Sequence, residues 1–332
     1  MKPLLAASLA VLSLFLISVA SPGGPLQAQS PATPQTPAAG ERQVAITIDD
    51  LPAASLSMSG TDVITMTSKL LATLQQQKVP AVGFVNEKKL YQKWGEVDDR
   101  IKALNMWLDS GFELGNHTYA HTSINVGLKD FEEDVVRGET VTRLLLAQHN
   151  MKMRYFRHPY LDTGRDLGTR RDAEAFLVAR GYHIAPVTLD AWDWHFAAVY
   201  DDAKKRNDAA AQQEIVRAYL AHHAEMFAYE EKFSKELLGY EPKQVLLLHG
   251  NNLEAEHIGE LIELLRQRGY SFITLGQALS EQAYSLPNTY IGEEGQGWIE
   301  QWALSLGKMP PPAPPFPAAI EARAKALRHT QP

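Results

Sequence analysis

The chain has 332 residues, with 32 Lys and Arg against 39 Asp and Glu, so its formal net charge is −7. A protein that binds nucleic acid typically presents a basic face, and this acidic balance argues against that class. Apolar and aromatic residues make up 45% of the chain, which is typical of a globular protein and excludes a disordered one. Cysteine is absent, which excludes disulfides, thiolate metal sites and cysteine nucleophiles.

The first 40 residues differ in composition from the rest of the chain. Residues 1–20 carry one Lys before a long apolar run that ends in small residues, which predicts an export signal. Because the run is longer than a minimal signal core, an uncleaved membrane anchor is the alternative. Residues 21–40 are rich in Pro, Gly, Ser and Gln and predict an extended linker. We therefore expect a periplasmic, cell-envelope or secreted protein, with no membrane contact other than such an anchor.

Residues 41–282 alternate short apolar runs with amphipathic helical stretches. Apolar side chains at helical spacing predict helices over 61–78 and 253–268. Seven apolar or β-branched runs predict strands, at 43–48, 81–85, 112–115, 154–157, 183–188, 245–249 and 271–274. Alternation of this kind predicts a parallel sheet with helices outside it, one unit short of the common eight-fold barrel.

Two long segments interrupt or follow this pattern. Residues 195–243 offer no strand and place apolar side chains at helical spacing, which predicts a helical insertion on the rim of the barrel rather than a separate domain. Beyond residue 282, proline clusters at 310–312 and 314–315 break any regular element. We therefore predict that residues 283–332 are a Pro-rich tail outside the folded body, with a short Ala-rich helix near its end.

The first polar group to follow a predicted strand is the pair Asp49 and Asp50. Parallel barrels build their sites at the carboxyl ends of strands, so the position favours a functional role. Two adjacent carboxylates at the end of an apolar strand are costly unless something holds them. One interpretation is a metal ligand beside a proton acceptor, and the other is a simple turn signal.

A histidine pair follows the third predicted strand. His117 and His121 are four residues apart, a spacing at which both imidazoles reach one ion from the same side of a helical turn. Isolated pairs at this spacing are often incidental. A carboxylate from another strand would complete a three-ligand set that leaves an open position for water, as a catalytic site requires.

An Arg and a Pro-Tyr turn follow the fourth predicted strand. The guanidinium of Arg157 is a fixed donor fork that can hold a carboxylate. Pro159 sets a rigid turn that could aim the N–H of Tyr160. The alternative is a surface arginine followed by a loop proline.

Two further groups follow the fifth and sixth predicted strands. Trp192 and Trp194 alternate with acids, and their indoles would form either the wall of a sugar site or part of the core. His249 ends an apolar strand, directly after Leu247 and Leu248. It is either a general acid tuned by a neighbouring carboxylate or a histidine satisfied within the core.

Taken together and in this order, the five groups resemble the polysaccharide deacetylase family, which is carbohydrate esterase family 4 with the NodB-homology domain. The resemblance covers about residues 44–279. Five segments carry it: 47–50 (TFDD, with Ile in place of Phe), 117–122 (H-[ST]-x-x-H-[ST]), 157–160 (R-x-P-Y), 190–194 (D-x-x-D-W) and 247–249 (L-x-H).

The resemblance implies an α/β fold, a distorted (β/α)7 barrel that here carries the helical insertion before its sixth strand. It implies that Asp50, His117 and His121 bind one divalent metal ion, usually Zn²⁺, at a site that also accepts Co²⁺ or Ni²⁺. It also implies the remaining roles: Asp49 as general base, His249 as general acid, Asp190 tuning His249, Arg157 orienting Asp49, the Tyr160 N–H at the oxyanion, and Leu247 lining the acetyl pocket.

The function implied is a metal-dependent hydrolase that removes N-acetyl groups from an amino-sugar polymer or oligomer, peptidoglycan-like or chitin-like. One alternative keeps the catalyst and changes the bond, to an O-acetyl ester or a non-sugar C–N bond. The other alternative is a non-catalytic glycan-binding protein. The expected partner is an acetylated glycan, and nothing in the sequence indicates an oligomeric state.

Overall fold

The computed structural model describes residues 42–329. The predicted export signal or anchor at 1–20 and the predicted linker at 21–40 lie outside these residues. Among the helices described, none is both long enough and apolar enough to cross a membrane.

One sheet of seven parallel strands forms the centre of the molecule. Its strands are β1 (Arg42–Leu51), β2 (Ala81–Val85), β3 (Glu113–Asn116), β4 (Tyr155–Phe156), β5 (His183–Ile184), β6 (Gln244–His249) and β7 (Tyr270–Phe272). They lie in the order β5-β4-β3-β2-β1-β6, and β7 pairs with the start of β1. The seven predicted strands are confirmed, although β4 and β5 are only two residues long.

The sheet curls because the chain beyond β5 returns to the free edge of β6. Leu189 pairs in parallel with Leu246, and the N–H of Leu247 donates to the carbonyl of Leu189 at 3.0 Å. This contact joins the two ends of the strand order. The fold is therefore the distorted (β/α)7 barrel that the sequence predicts, with β1 buried at its centre.

Helices surround the sheet. They are α1 (Gly60–Gln77), α2 (Val97–Asp109), α3 (Leu128–Arg137), α4 (Thr140–Gln148), α5 (Leu167–Ala179), α6 (Asp193–Lys205), α7 (Ala209–Leu238), α8 (Asn252–Gln267), α9 (Leu275–Leu279), α10 (Trp298–Ser305) and α11 (Ala318–His329). Helix α1 begins at Ser59, whose hydroxyl accepts the N–H of Asp62 in a capping box, and α8 begins at Asn251, which caps the N–H of Glu254. The two helices predicted at 61–78 and 253–268 are confirmed, each displaced by one residue.

The long connection between β5 and β6 contains α6 and the 30-residue α7. Helix α7 packs against α6, α8 and α10. Its buried side chains include Tyr219, Phe227 and Phe233. The connection therefore lies against the outer helices and continues the apolar core around them.

The prediction that residues 283–332 form a tail outside the folded body is wrong for the part that the structure describes. In α10, Trp298 and Trp302 are buried in a cluster with Phe233 of α7. In α11, which packs against α6, Ile320 and Ala324 are buried in the main core. Proline prevents a helix over 310–315 but does not prevent the segment from lying against the barrel, so the folded body extends through α11.

We expect Trp302→Ala to lower the free energy of unfolding by about 3–5 kcal/mol, because the indole is 1% exposed and its removal leaves a cavity. Urea denaturation followed by circular dichroism measures the change. Met309→Ala is the control, since this side chain is 83% exposed and its removal changes the unfolding free energy by less than about 0.5 kcal/mol. An unchanged transition in Trp302→Ala would show that the C-terminal segment does not unfold with the barrel.

Candidate active site

The predicted metal ligands meet at the carboxyl ends of β1 and β3. Asp50, His117 and His121 each offer one ligand atom, and these atoms all lie within 4.8 Å of one another. The two imidazole centroids are 4.7 Å apart, and His121 Nε2 is 3.9 Å from Asp50 Oδ1. Residues 67 positions apart in the chain therefore form one cluster.

The backbone around these ligands is held in uncommon conformations. Asp50, Thr118 and His121 have φ of 71°, 62° and 62°, a left-handed region that costs energy for residues other than glycine. The loop is fixed by Asp134, whose carboxylate accepts the N–H of Ala120 at 2.8 Å. These contacts hold the loop so that both histidines face Asp50.

The donor set fits a divalent cation. His117 Nδ1 lies 2.9 Å from the carbonyl of Arg157, so it carries the proton and leaves Nε2 free to act as a ligand. Burial lowers the pKa of His117 well below its ordinary value and that of His121 to about 4, so both imidazoles are neutral at pH 7. Asp50 Oδ1 is buried, and its protein neighbour is an ammonium rather than a backbone N–H. Two imidazoles and one carboxylate suit Zn²⁺, and also Co²⁺ or Ni²⁺.

Lys89 is a site residue that the sequence analysis missed. It lies in the turn after β2, and its Nζ is 3.0 Å from Asp50 Oδ1. Burial alone would raise the pKa of Asp50, but the charge of Lys89, with a further contribution from His121, lowers it below the ordinary value. Asp50 is therefore ionised at neutral pH before any cation binds.

Asp49 lies beside the cluster and is almost fully buried. Its Oδ2 is 3.6 Å from Arg157 Nη1 and 3.6 Å from His117 Nε2. Arg157 is itself fixed, since its Nη2 donates to Thr47 Oγ1 at 2.8 Å and its guanidinium lies over the ring of Phe84. Burial raises the pKa of Asp49 to about 6 although Arg157 opposes the shift, so Asp49 can take a proton near neutral pH.

The carboxylate in direct contact with His249 belongs to Asp193, and not to Asp190, to which the resemblance assigns the tuning of this histidine. Asp193 Oδ1 is 2.7 Å from His249 Nδ1, and Oδ2 accepts the backbone N–H of His249 at 3.0 Å. Asp190 instead accepts the N–H of Trp192 at 2.9 Å. Trp192 has φ of 53°, and α6 begins directly after it, which turns Asp193 toward the end of β6.

Asp193 keeps His249 charged. Burial alone would lower the pKa of His249, but contact with Asp193 raises it to about 10. At neutral pH the ring is therefore an imidazolium, whose Nε2–H is available as a proton donor. Behind Asp193 lies Glu254, which is fully buried and accepts the hydroxyl of Tyr219 at 2.7 Å.

The remaining predicted residues line one cavity of about 990 Å³, which also contains Asp49, Asp50 and His249. Leu247 packs with Leu161 and Val187 at its wall. Trp192 and Trp194 are partly exposed to it, and the Tyr160 ring lies 4.3 Å from that of His121 between centroids. The far wall comes from the C-terminal segment, at residues 294–297, 300, 310, 311, 313, 324 and 327. None of these residues is expected at the site from the sequence alone.

Residues 36–176 match the family model described as polysaccharide deacetylase. This segment belongs to the polysaccharide deacetylase family. Within it lie Asp49, Arg157 and the three predicted metal ligands, whereas His249 and Asp193 lie beyond the matched range. The deacetylase match thus covers one half of the site, and the other half is supplied by the later strands.

Several solved structures are similar to the deacetylase fold of this chain. A family 4 carbohydrate esterase from Streptomyces lividans, in complex with acetate, is 20% identical, with 72% of this chain and 97% of that chain covered and a TM-score of 0.45. A family 4 acetyl xylan esterase from Clostridium thermocellum, in complex with a cobalt ion, is 19% identical. The match covers 74% of this chain and 93% of that chain, with a TM-score of 0.46. A family 4 pseudoenzyme from Bacillus anthracis is 18% identical. The match covers 72% of this chain and 66% of that chain, with a TM-score of 0.47. No curated protein matches this chain.

We expect Asp193→Asn to move the alkaline limb of the pH–rate profile to lower pH by about one to three units. The limb marks loss of the proton from His249, and removing the adjacent negative charge makes that proton leave at lower pH. Asp190→Asn is the matched control, because Asp190 makes no contact with the ring, and it should move the limb much less. Equal shifts in the two variants would contradict the assignment of Asp193.

Proposed function

We propose that this protein is a metal-dependent hydrolase that removes N-acetyl groups from an amino-sugar polymer or oligomer, peptidoglycan-like or chitin-like. One observation carries the proposal: the three-ligand cluster, Asp49 and His249 all line the same cavity. Arg157 contacts Asp49 and Asp193 contacts His249, and both of these partners are fully buried. A hydrolase of an inert amide needs both a proton acceptor and a proton donor at the reacting carbon, and Asp49 and His249 would supply them.

The metal would be held by Asp50, His117 and His121. When bound there, a divalent cation supplies Lewis-acid chemistry that polarises the acetyl carbonyl and makes water more acidic. The three ligands are already in the protonation states that bind a cation, since Asp50 is ionised and both imidazoles are neutral at pH 7. Zn²⁺, Co²⁺ and Ni²⁺ are the candidates.

The protein side chains would move the protons. Asp49 takes a proton from the water as the water oxygen bonds to the acetyl carbon, and Arg157 holds Asp49 in place. The Tyr160 N–H stabilises the negative charge that develops on the acetyl oxygen, and Leu247 contacts the acetyl methyl group. His249 gives its Nε2 proton to the sugar nitrogen as the C–N bond breaks, so the products are acetate and a free amine.

The same groups would also hydrolyse an O-acetyl ester, because His249 can protonate a leaving oxygen as well as a leaving nitrogen. Turnover on matched N-acetyl and O-acetyl glycans, and on a non-sugar amide, with and without chelator, separates these reactions. Failure of every acetylated substrate with metal bound would overturn the proposal and favour a glycan-binding role. Export of the protein, predicted from residues 1–20, is part of the proposal because such polymers lie outside the cytoplasm.

We expect Asp49→Asn to reduce kcat by about 10²-fold or more, because the amide cannot accept the water proton. The metal content should stay at the wild-type level, since the ligand cluster is unchanged. Turnover on an N-acetylglucosamine oligomer, measured beside metal analysis of the same sample, tests both points. Wild-type turnover in this variant would remove Asp49 from the mechanism.

We expect His117→Ala to lose stoichiometric Zn²⁺, because only two of the three ligands remain. His183→Ala is the control, since His183 is an exposed residue of β5 and belongs to no ligand cluster among the described residues. Metal analysis after dialysis against a weak chelator measures both variants. If His117→Ala keeps one Zn²⁺ per chain, the ligand assignment is wrong.

A further inference from the structure

Three carboxyl groups that the proposed reaction does not use line the same cavity. Asp190 follows β5, Glu230 lies on α7 and Glu300 lies in the first turn of α10. They come from three separate elements, and two of them belong to parts of the chain that the sequence analysis did not connect with the site. We call this group the acidic wall.

The members of the acidic wall interact with one another. The Glu230 and Glu300 side chains are in hydrogen-bonding contact, and the charge of Asp190 acts on Glu230. Glu230 is 5% exposed, and its Oε2 is buried with no hydrogen-bond partner. The contact with Glu300 therefore leaves one carboxyl oxygen of Glu230 without a donor, and a donor from a bound ligand would offset that cost.

Compensating positive charge is missing on the side away from the reaction centre. Arg157 and His249 lie close enough to Asp190 to interact with its charge. Among the described residues, no Lys or Arg forms an ion pair with Glu230 or Glu300, and no basic group is a main influence on either carboxyl. Burial raises the pKa of Glu230 well above its ordinary value, and it also raises the pKa of Glu300. A cation in the cavity would favour the ionised forms of these carboxyls and return their pKa values toward the ordinary range.

The shape of the acidic wall favours an organic ammonium over a metal ion. Among the described residues, the side chains whose ligand atoms are close enough to share one ion are Asp50, His117 and His121. No member of the acidic wall belongs to such a group. An ammonium carries three N–H donors that can each reach a different carboxyl oxygen at hydrogen-bond distance. The neighbouring Tyr229, Met226 and Trp192 add apolar surface of the kind that a sugar ring contacts.

We propose that Asp190, Glu230 and Glu300 form a subsite for a protonated amine of the substrate, so that the enzyme prefers acetylated amino-sugar chains that already carry a free amino group beside the acetylated unit. The inference rests on the proposed function, because the amine is taken to belong to the same chain as the acetyl group. Asp190 connects the two parts of the cavity, since its charge acts both on Arg157 at the reaction centre and on Glu230.

The first test compares two tetramers of the same length. One is fully N-acetylated glucosamine, and the other carries a single free amine beside an acetylated unit. We expect the wild-type protein to have a kcat/KM at least about tenfold higher for the amine-bearing tetramer, and we expect Glu230→Gln to lose that ratio, as the loss of a charge-assisted hydrogen bond predicts. Glu300→Gln is the second variant, in case Glu230→Gln does not fold.

The matched control is Glu225→Gln, an exposed carboxylate five residues earlier on α7. It makes the same change of charge on the same helix outside the cavity, so it should keep the wild-type ratio. An equal loss in this control would attribute the preference to the overall field of the protein, which overturns the subsite. A wild-type ratio near one would overturn it as well.

The second test needs no turnover. Calorimetry measures binding of the fully deacetylated glucosamine tetramer to the full chain, with the fully acetylated tetramer as the neutral comparison. We expect tighter binding of the amine, weakened about tenfold in Glu230→Gln or Glu300→Gln and unchanged in Glu225→Gln. Binding of this kind without hydrolysis of any acetylated glycan would support the subsite and overturn the proposed function. Hydrolysis with equal binding of both tetramers would do the reverse.

Discussion

Two adjacent carboxylates, Asp49 and Asp50, are buried at the end of the central strand, where ionised groups are costly unless opposite charges and hydrogen bonds offset them. The compensating groups come from elsewhere: Lys89 from the turn after β2, and Arg157 from the end of β4. Lys89 reaches the pair from the strand next to β1, whereas Arg157 reaches it from a strand three positions away, which the curl of the sheet brings close. The barrel and the site therefore depend on each other. Asp49 faces Arg157 and Asp50 faces Lys89, and the pKa of Asp49 is raised whereas that of Asp50 is lowered.

The parts of this arrangement that could be predicted from the sequence are local. Strand positions follow from apolar runs, and the helices α1 and α8 follow from spacing and from caps such as Ser59 and Asn251. The ligand cluster could be predicted because the resemblance supplied all three residues. The helical turn expected for His117 and His121 is wrong, because both lie in a loop in which His121 itself has a left-handed φ. Each of the strand and helix signals lies within a few residues, which is the range over which backbone geometry alone decides where a side chain points.

The parts that could not be predicted depend on long-range packing. Two carboxylates in the fourth motif are equally suited to contact His249, and only the turn at Trp192 decides that Asp193 does so. Lys89 carries no local sign of its contact with Asp50. The apolar residues of α10 recur at helical spacing and do indicate a buried face, but the prolines between α10 and α11 resemble a linker and led to the prediction of a tail. As a result, the sequence does not predict the far wall of the cavity, which residues between 294 and 327, including Glu300, form.

That wall has a consequence for how the protein is made. A chain emerging from the ribosome presents the residues of β1 and β3 first, those of β6 much later, and those of α10 and α11 last. The residues of the ligand cluster are therefore made early in synthesis, whereas those of the far wall of the cavity are made when translation is nearly complete. A polypeptide that ends before α10 would lack this part of the enclosure, together with Glu300.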